Sequence, residues 1–499
     1  MTPMMRFIIV CLVAGLTANR VAADAGRHPR TPTFAFTHVR VIDGTGAPAK
    51  DDQTVLIENR RIQAVGPSAS VHLPPNTETI DLPGRTVVPG LVGMHEHLFY
   101  QLEPPGSEEW AIRAGSTFAK LYLAAGLTTI RTAGTIDFNA DKWTKRWIDE
   151  GKEPGPKIHL TSHYLEAIGE RPDADAMARL VEQFADAGAT SFKAYTSLRS
   201  AELKAVIAVA HRRGLQVTGH LCAVGFREAA ALGIDNVEHG LPFDTDLYSG
   251  KRPDECPNQN DVFAEVARLD MSDAQIVQAI AALIRHGVAV TSTLAVLESF
   301  TGSDAAFDPR VRPLLTSRLV DAYDAAAAVR KDPNTRSSRL FAGALRKEML
   351  FERAFVASGG KLMAGADPTG WGGVVAGFGD QRELELLVEA GFAPEKAIQI
   401  ATSNGANFLR EGDVGTIAPG FQADLVVVHG NPARRMADMR DVEMVIKDGV
   451  AYDPTALIAE AQGRLGAFEM SQLMTWPVFA IACLIPAYAV LRLRKRRRS

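Results

Sequence analysis

The chain has 499 residues, 46% of them hydrophobic, and a formal net charge of −4. A chain of this size can bury the core of one large barrel-type domain or of two to three ordinary domains. Six basic residues lie at the extreme C-terminus, so the part between the two ends is more acidic than the total suggests. This charge balance excludes the basic footprint that is typical of nucleic-acid-binding proteins.

The first 25 residues have the three parts of a secretory signal peptide. Arg6 precedes an apolar run from Phe7 to Leu16, and small residues around Ala23 suit a cleavage site. An N-terminal membrane anchor is the alternative, but the apolar run is too short to provide one. We therefore expect residues 1–25 to be a signal peptide and the protein to be exported.

Both flanks of the chain read as short β-strands. Residues 33–88 contain alternating apolar runs separated by turns, and Asn59-Arg60 lies between two such runs, as in a hairpin. Residues 412–455 show the same kind of runs near the other end. Because these two clusters enclose a different middle region, we expect them to form one small β-sandwich domain together.

The middle region, residues 89–411, alternates amphipathic helical segments with short apolar strands, which is the pattern of a parallel α/β sheet. The eight strand candidates are Thr86–His97, Thr128–Arg131, Lys157–Thr161, Thr190–Tyr195, Leu215–His220, Asn236–His239, Gly287–Leu294 and Lys361–Asp367. Eight parallel strands in about 320 residues predict a (β/α)8 TIM-type barrel with insertions. Two connections, roughly 241–271 and 295–340, are long enough to be functional or disordered.

The C-terminal end predicts a membrane span. Residues 473–491 carry no charge and are long enough to cross a bilayer as a helix, and basic residues fill 492–499. Because basic residues stay on the cytoplasmic side, we expect a cytoplasmic tail and a membrane-anchored catalytic domain on the periplasmic or extracellular side. A buried core helix and a sorting tail that is removed are the alternatives.

Only two cysteines, Cys222 and Cys256, lie in the part that would be exported. An exported protein can form disulfides, so these residues allow one bridge. The sequence leaves open whether they pair, and it excludes a disulfide-rich scaffold.

Polar residues end several of the predicted barrel strands, where the catalytic residues of such barrels lie. In chain order these residues are His95, His97, Lys193, His220, His239 and Asp367. His95 and His97 share one face of their strand because alternate side chains point the same way. Imidazole and carboxylate are suitable ligands for zinc and similar divalent ions, so the pattern predicts a metal site. Taken singly, His220 also suits a core histidine and Asp367 a turn.

At these residues the chain resembles the amidohydrolase superfamily, in the branch near imidazolonepropionases and prolidase-like dipeptidases. The resemblance runs from about residue 35 to 455. It rests on the segments 89–97, 192–193, 218–220, 237–240, 364–367 and 415–426. It implies the same barrel and split β-domain that the residue patterns predict.

The resemblance further implies two divalent metal ions, taken to be zinc, and a carbamylated Lys193 that bridges them. His95 and His97 would hold one ion with Asp367, while His220 and His239 would hold the other. A hydroxide between the ions would attack a carbonyl, and Asp367 would act as the catalytic base and then as the acid. A lysine among four histidine ligands makes better chemical sense as an anion than as a cation.

Four further residues are candidates for substrate binding because they follow strands two to four: Arg131, His163, Tyr164 and Tyr195. Arg131 suits a two-pronged contact with a substrate carboxylate, and a structural ion pair is its equal alternative. The expected partner is a small molecule or a small peptide, and a homo-oligomer is compatible with the sequence.

The predicted activity is hydrolysis of an amide C–N bond in a small peptide or a cyclic amide. A lactonase stays an alternative, since the same nucleophile attacks esters. A deaminase is less favoured, because Ala223 stands where such enzymes carry a glutamate and Lys193 would have no role. A non-enzymatic binding module would be expected to have lost at least one ligand, whereas all six are present.

Overall fold

The computed structural model describes residues 27–28, 33–102, 110–167, 169 and 173–469. The β-strands within these residues are β1 (Arg27–His28), β2 (Thr33–Val41), β3 (Lys50–Glu58), β4 (Arg61–Pro67), β5 (Glu78–Asp81), β6 (Arg85–Pro89), β7 (Leu91–Glu96), β8 (Phe99–Leu102), β9 (Trp110–Arg113), β10 (Leu127–Thr132), β11 (Lys157–His159), β12 (Thr161–Leu165), β13 (Ser191–Ala194), β14 (Gln216–Gly219), β15 (Asn236–Glu238), β16 (Ala289–Ser292), β17 (Leu362–Ala364), β18 (Leu425–His429), β19 (Val442–Lys447) and β20 (Val450–Tyr452).

The α-helices of the same residues mostly follow the strands of the middle region. They are α1 (Gly115–Ala124), α2 (Phe138–Asp149), α3 (Ala174–Ala187), α4 (Ser200–Arg212), α5 (Phe226–Leu232), α6 (Gln259–Val266), α7 (Ala274–Arg285), α8 (Leu294–Glu298), α9 (Ser317–Arg330), α10 (Arg336–Ala357), α11 (Phe378–Glu389), α12 (Pro394–Ile400), α13 (Ser403–Phe408) and α14 (Pro454–Ala461).

Strands from both flanks share one sheet, in the order β1-β20-β19-β18-β6-β2-β3-β4, with β5 beside β2. The β3–β4 hairpin turns at Asn59 and Arg60, whose φ angles of 49° and 70° suit a two-residue turn. All of these strands belong to one connected sheet, because the long strand β2 pairs with β5 over Phe34–Thr37 and with β6 at Arg40 and Val41. The β-sandwich arrangement stays a prediction.

The middle region forms the predicted barrel of parallel strands, in the order β7, β10, β11 with β12, β13, β14, β15, β16 and β17. The third position is interrupted at Leu160, so that β11 pairs with β10 and β12 pairs with β13. The barrel closes between β17 and β7, where the amide of Asp367 donates to the carbonyl of His95 at 2.9 Å. At Gly365 a Cβ would lie 2.3 Å from the backbone nitrogen of His95, so closure requires glycine there.

The barrel strands are buried because helices cover their outer face. All six residues of β7 and all six of β10 are buried, as expected for a parallel sheet with both faces covered. Helix α3 illustrates how the sequence determines where such a helix begins and ends. The carboxylate of Asp173 accepts a hydrogen bond from the amide of Ala176 at 2.8 Å, and Gly188 ends the helix in a left-handed conformation.

The structure does not support the predicted membrane anchor. Among the helices of the described residues, none is both long and apolar enough to cross a bilayer. The longest, α10, has 22 residues but carries charged side chains such as Arg346, Lys347 and Glu352. These helices are amphipathic elements that pack on the barrel. The predicted transmembrane helix over 473–491, the basic tail over 492–499 and the signal peptide over 1–25 lie outside the described residues, and the predicted membrane-anchored location is corrected accordingly.

Cys222 and Cys256 form a disulfide, with their Cα atoms 4.8 Å apart. Cys222 follows the end of β14, and Cys256 lies just before α6. The bridge therefore joins the end of a barrel strand to the long connection after β15, a pairing that the sequence left open.

Candidate metal centre

The six polar residues at the predicted strand ends line one cavity at the carboxyl end of the barrel. Its volume is about 300 Å³. The strands β7, β13, β14 and β15 position the four histidines and Lys193, and Asp367 follows β17. His220 is half-buried and the other five residues are buried. The barrel thus brings together residues that are up to 272 positions apart in the sequence.

The carboxylate of Asp367 is at the centre of this cluster. Its Oδ1 lies 3.1 Å from Nε2 of His97, while its Oδ2 lies 3.7 Å from Nε2 of His95 and 3.9 Å from Nδ1 of His239. The His220 and His239 rings are 4.4 Å apart. Each of His95, His239 and Asp367 presents a ligand atom within 4.8 Å of the others, so one ion can contact all three.

The hydrogen bonds of the histidines fit metal binding. Nε2 of His239 and Nδ1 of His95 are buried and lack a hydrogen-bond partner among the described residues, although a Glu238 oxygen lies 3.5 Å from the latter. A buried unpaired nitrogen is unfavourable unless a ligand uses its lone pair. Nδ1 of His239 bonds the Thr293 hydroxyl at 2.8 Å and Nδ1 of His97 bonds the Gly134 carbonyl at 3.3 Å, as in ligating histidines held by a second partner.

Burial keeps three of these histidines, His95, His220 and His239, neutral. It lowers the pKa of His95 and of His220 well below the ordinary value, and it lowers the pKa of His239 to about 4. The positive charge of Lys193 lowers the pKa of His95 further. Neutral imidazole is the form that binds a metal ion, so the site is ready to bind at neutral pH.

Lys193 is buried at the base of the cavity and forms an ion pair with Glu238. Burial lowers the pKa of Lys193 although Glu238 opposes this effect. For Glu238, burial alone would raise the pKa, but Lys193 and Arg131 hold it below the usual range. The Thr218 hydroxyl donates to Glu238 at 3.1 Å, so Glu238 links three barrel strands beneath the histidines.

The sequence analysis did not single out Glu238, although a signal was present. A carboxylate in a buried strand needs a cationic or donor partner, and Lys193 and Arg131 lie on two other predicted strands of the same barrel.

The structure separates the four predicted substrate residues into two pairs. Tyr164 and Tyr195 line the cavity, with ring centroids 4.7 Å apart. Arg131 is fully buried beneath it, where its Nε donates to the Met94 carbonyl at 2.9 Å and its guanidinium pairs with Glu238 at 3.0 Å. His163 also lies outside the cavity lining, with Nδ1 2.7 Å from the Thr135 carbonyl. For Arg131 the geometry is that of a structural ion pair.

Further lining residues come from the long connections and were not predicted individually. Five of them form a continuous apolar side of the cavity, which we call the aromatic wall: Phe243, Phe263, Phe300, Phe341 and Trp371. The only sequence signal was the length of the connections over 241–271 and 295–340, which contain Phe243, Phe263 and Phe300 but neither Phe341 nor Trp371. Thr369 also lines the cavity, and its hydroxyl donates to Oδ1 of Asp367 at 3.0 Å.

Three residues of the site have left-handed backbone conformations that are unusual for residues other than glycine. The φ angles are 67° at His239, 47° at Asp367 and 50° at Trp371. Such conformations are unfavourable and persist where the surrounding structure enforces them, often at functional sites. Two of these residues are proposed metal ligands, and the third belongs to the aromatic wall.

The chain belongs to the amidohydrolase family, because the model of that family matches residues 86–452. The resemblance inferred from the sequence is thereby confirmed. The family name denotes hydrolysis of amide bonds, and the protein is accordingly a hydrolase by class.

Individual relatives are more distant. Imidazolonepropionase of Nocardia farcinica (strain IFM 10152) is 26% identical over 390 residues, covering 76% of this chain and 85% of that protein. Adenine deaminase 4 of Rhizobium meliloti (strain 1021) is 32% identical over 108 residues, which cover 21% of this chain and only 17% of that protein. A solved structure of a Xaa-Pro dipeptidase with bound methionine has a TM-score of 0.64 at 21% identity. That comparison covers 84% of this chain and 100% of the dipeptidase chain, and it shows a shared fold.

Proposed function

We propose that this protein is a metal-dependent hydrolase that uses two divalent ions, taken to be zinc, to cleave an amide C–N bond in a small peptide or a cyclic amide. The observation that carries the proposal is the convergence of four histidines, one lysine and one aspartate in a single cavity. The neutral imidazoles and the two unpaired imidazole nitrogens support the same proposal.

The residues divide into two ligand sets. His95, His97 and Asp367 would hold one ion, and His220 and His239 would hold the other, with Lys193 between the sets. Their neutral nitrogen and carboxylate oxygen donors are those that zinc prefers. When bound, the two ions supply an activated water and polarise the substrate carbonyl.

Lys193 is proposed to carry a carbamate. Burial lowers its pKa, so a larger share of its amine is neutral and nucleophilic than in an exposed lysine. The neutral amine attacks carbon dioxide, a nitrogen–carbon bond forms and one proton is released to solvent. The resulting anion suits a position between cations. Arg131, 3.0 Å from Glu238, then remains as the cation that balances the Glu238 charge.

Asp367 is the proposed proton carrier. Burial would raise its pKa, but the hydrogen bond and the electrostatic interaction with His97 hold that pKa below its usual range, so the carboxylate is ionised. It can accept a proton from the attacking water at Oδ1 or Oδ2 and deliver it to the leaving nitrogen, as a base and then an acid. The hydroxyl of Thr369 orients this carboxylate.

Deamination is the competing activity, favoured only by the short similarity to an adenine deaminase. The notable feature against it is Ala223, which is buried where a deaminase of the expected type would carry its glutamate. Lys193 would also have no role in that reaction. Ester hydrolysis at a lactone would use the same groups as amide hydrolysis.

The test is an activity screen of the full-length protein, with and without added zinc, against dipeptides, N-acyl amino acids, cyclic amides and lactones. We expect hydrolysis of at least one amide, loss of activity on chelation and recovery with zinc. His220→Ala should abolish turnover, whereas His286→Ala, which removes an exposed histidine outside the cavity, should not. Release of ammonia without amide hydrolysis, or turnover that survives chelation, would contradict the proposal.

A further inference from the structure

The aromatic wall is a continuous series of ring contacts that starts at the proposed metal ligands. The Phe243 ring lies 4.9 Å from both His220 and His239. From there the ring centroids are 5.2 Å apart for Phe243 and Phe263, 5.2 Å for Phe263 and Phe341, 4.7 Å for Phe341 and Phe300, and 4.8 Å for Phe300 and Trp371. These rings line the cavity from its base to its rim.

The outer end of the wall is held in place although it is exposed. Trp371 is 39% exposed, so part of its indole faces solvent at this end of the wall. The Arg330 guanidinium lies 4.6 Å from the Trp371 ring centroid and donates to the carbonyl of the neighbouring Gly370. Phe300 supports the indole from the side. An exposed aromatic surface that is already ordered in the free protein binds a ligand with little further loss of entropy.

The rest of the cavity has a different character. Gln101, Gln259, Asn260, Tyr164 and Tyr195 provide amide and hydroxyl groups along the lining. Ligand sites combine a broad apolar surface with a few polar groups that set orientation. The lining of this cavity presents both kinds of group, so a ligand with one apolar and one polar part fits it best.

We propose that the aromatic wall is the binding subsite for a large aromatic group of the substrate, and that the enzyme prefers amides that carry such a group over small polar amides. This inference rests on the proposed amide hydrolysis. An aromatic group along the wall would exclude water from several rings at once and form offset or edge contacts with them. Because the wall begins beside His220 and His239, it would also direct the adjoining amide towards the metal ligands.

A two-by-two substrate panel tests the preference directly. The acyl part is acetyl or naphthoyl and the amine part is glycine or phenylalanine, so the panel also shows which side of the amide uses the wall. Initial rates are measured with the zinc-loaded, full-length protein by quantifying the released amine. We expect kcat/KM for the best aromatic amide to exceed that of acetylglycine by about tenfold or more, the effect of roughly one additional aromatic contact.

Two variants of Trp371 distinguish the loss of the aromatic wall from the general effect of removing a tryptophan. Trp371→Ala should remove most of that preference, and Trp371→Phe should keep most of it. Trp143→Ala is the matched control, because Trp143 lies on helix α2 outside the cavity lining and also carries an arginine, with Arg146 5.0 Å from its ring. Equal effects of Trp371→Ala and Trp143→Ala, or equal rates across the panel, would overturn the wall as a subsite while leaving the proposed function intact.

A binding measurement tests the aromatic subsite separately from the proposed amide hydrolysis. Naphthylacetamide is titrated into the wild-type and Trp371→Ala proteins, and Kd is determined by calorimetry. We expect Trp371→Ala to weaken binding about tenfold. Binding that depends on Trp371, together with no hydrolysis of any panel member or of any amide in the activity screen, would support the subsite and contradict amide hydrolysis. If the protein shows neither binding nor hydrolysis, both the aromatic subsite and the proposed amide hydrolysis are contradicted.

Discussion

The ligand cluster at the base of the cavity is held by the barrel backbone, whereas the aromatic wall is held by connections between strands. Lys193 is on β13 and His239 directly follows β15, and both of these strands pair with neighbours on both sides. His95 is on β7, which pairs with β10, and the carbonyl of His95 accepts the hydrogen bond from the amide of Asp367. Phe263 and Phe341 come from helices α6 and α10, and Trp371 comes from a short turn. In barrels of this type, the strand ends carry the chemistry and the connections vary with the substrate. By this comparison, the ligand cluster at the base of the cavity would determine the type of reaction, and the aromatic wall would determine the choice of substrate.

Among the variants that test this comparison, Asp367→Asn should have the largest effect, which should be a loss of turnover. The change keeps the shape of the side chain but removes the proposed proton acceptor, so kcat should fall about 10²–10⁴-fold. Steady-state kinetics of the zinc-loaded protein measure this. Asp175→Asn, on an exposed part of helix α3, is the control and should leave kcat unchanged. A variant of Asp367 with wild-type kcat would remove this residue from the mechanism.

The disulfide connects the two regions, since Cys222 lies two residues after His220 and Cys256 lies close to helix α6 of the wall. The double variant Cys222→Ala, Cys256→Ala should lower the free energy of unfolding by about 3–4 kcal/mol, mainly because the unfolded chain gains freedom. Denaturant titration measures the change, and the wild-type protein after reduction should behave like the variant. An unchanged midpoint would show that the bridge does not stabilise this connection.

Glu238→Gln should change the metal affinity of the ligand cluster and leave the aromatic wall unchanged. The carboxylate pairs with Arg131 and, before carbamylation, with Lys193, so its neutralisation leaves the buried Arg131 without its counter-charge. Groups that orient metal ligands commonly change metal affinity about 10–100-fold, and we expect zinc affinity to fall in that range. Competition with a zinc chelator measures it, and the half-buried Glu182 of helix α3, which lies outside the cavity lining, gives a Glu→Gln control. Equal affinity in both variants would contradict a supporting role for Glu238.

A smaller, pH-dependent effect should come from the buried acids that support both regions. Glu348 on helix α10 accepts a hydrogen bond from the amide of Leu241 at 2.6 Å, and the same helix carries Phe341. Burial raises the pKa of Glu383 to about 7 and raises those of Glu348 and Glu352 well above the ordinary value. The folded protein therefore keeps protons that the unfolded chain releases. The associated stability is present below the unfolded pKa of about 4.3 and is lost as pH rises through the folded pKa.

Glu352→Gln replaces one of these acids with a group that is neutral at every pH. We expect the Tm of the variant to rise relative to wild type as the pH increases from 5 to 8. Thermal unfolding at intermediate pH values gives the trend. Glu182→Gln should show no such trend, and a Tm difference that is constant with pH would argue against a protonated Glu352 in the folded state.

The sequence predicted the base of the site better than the wall for a physical reason. Strand periodicity fixes which way His95 and His97 point, and parallel strands bring their ends to one edge, so local patterns suffice. No comparable period relates Phe263 to Trp371, which meet through packing between separate connections. Arg131 shows the limit of the pattern. Its strand position was clear, but whether it faced the substrate or paired with Glu238 depended on side-chain packing.

The central claim is that the strand-end residues bind a pair of metal ions, and elemental analysis of the purified protein tests it most directly. After zinc loading and removal of free metal, we expect close to two divalent ions per chain. We expect fewer in Lys193→Ala and an unchanged number in His286→Ala. One ion or none in the wild-type protein, or a full complement in Lys193→Ala, would contradict the account.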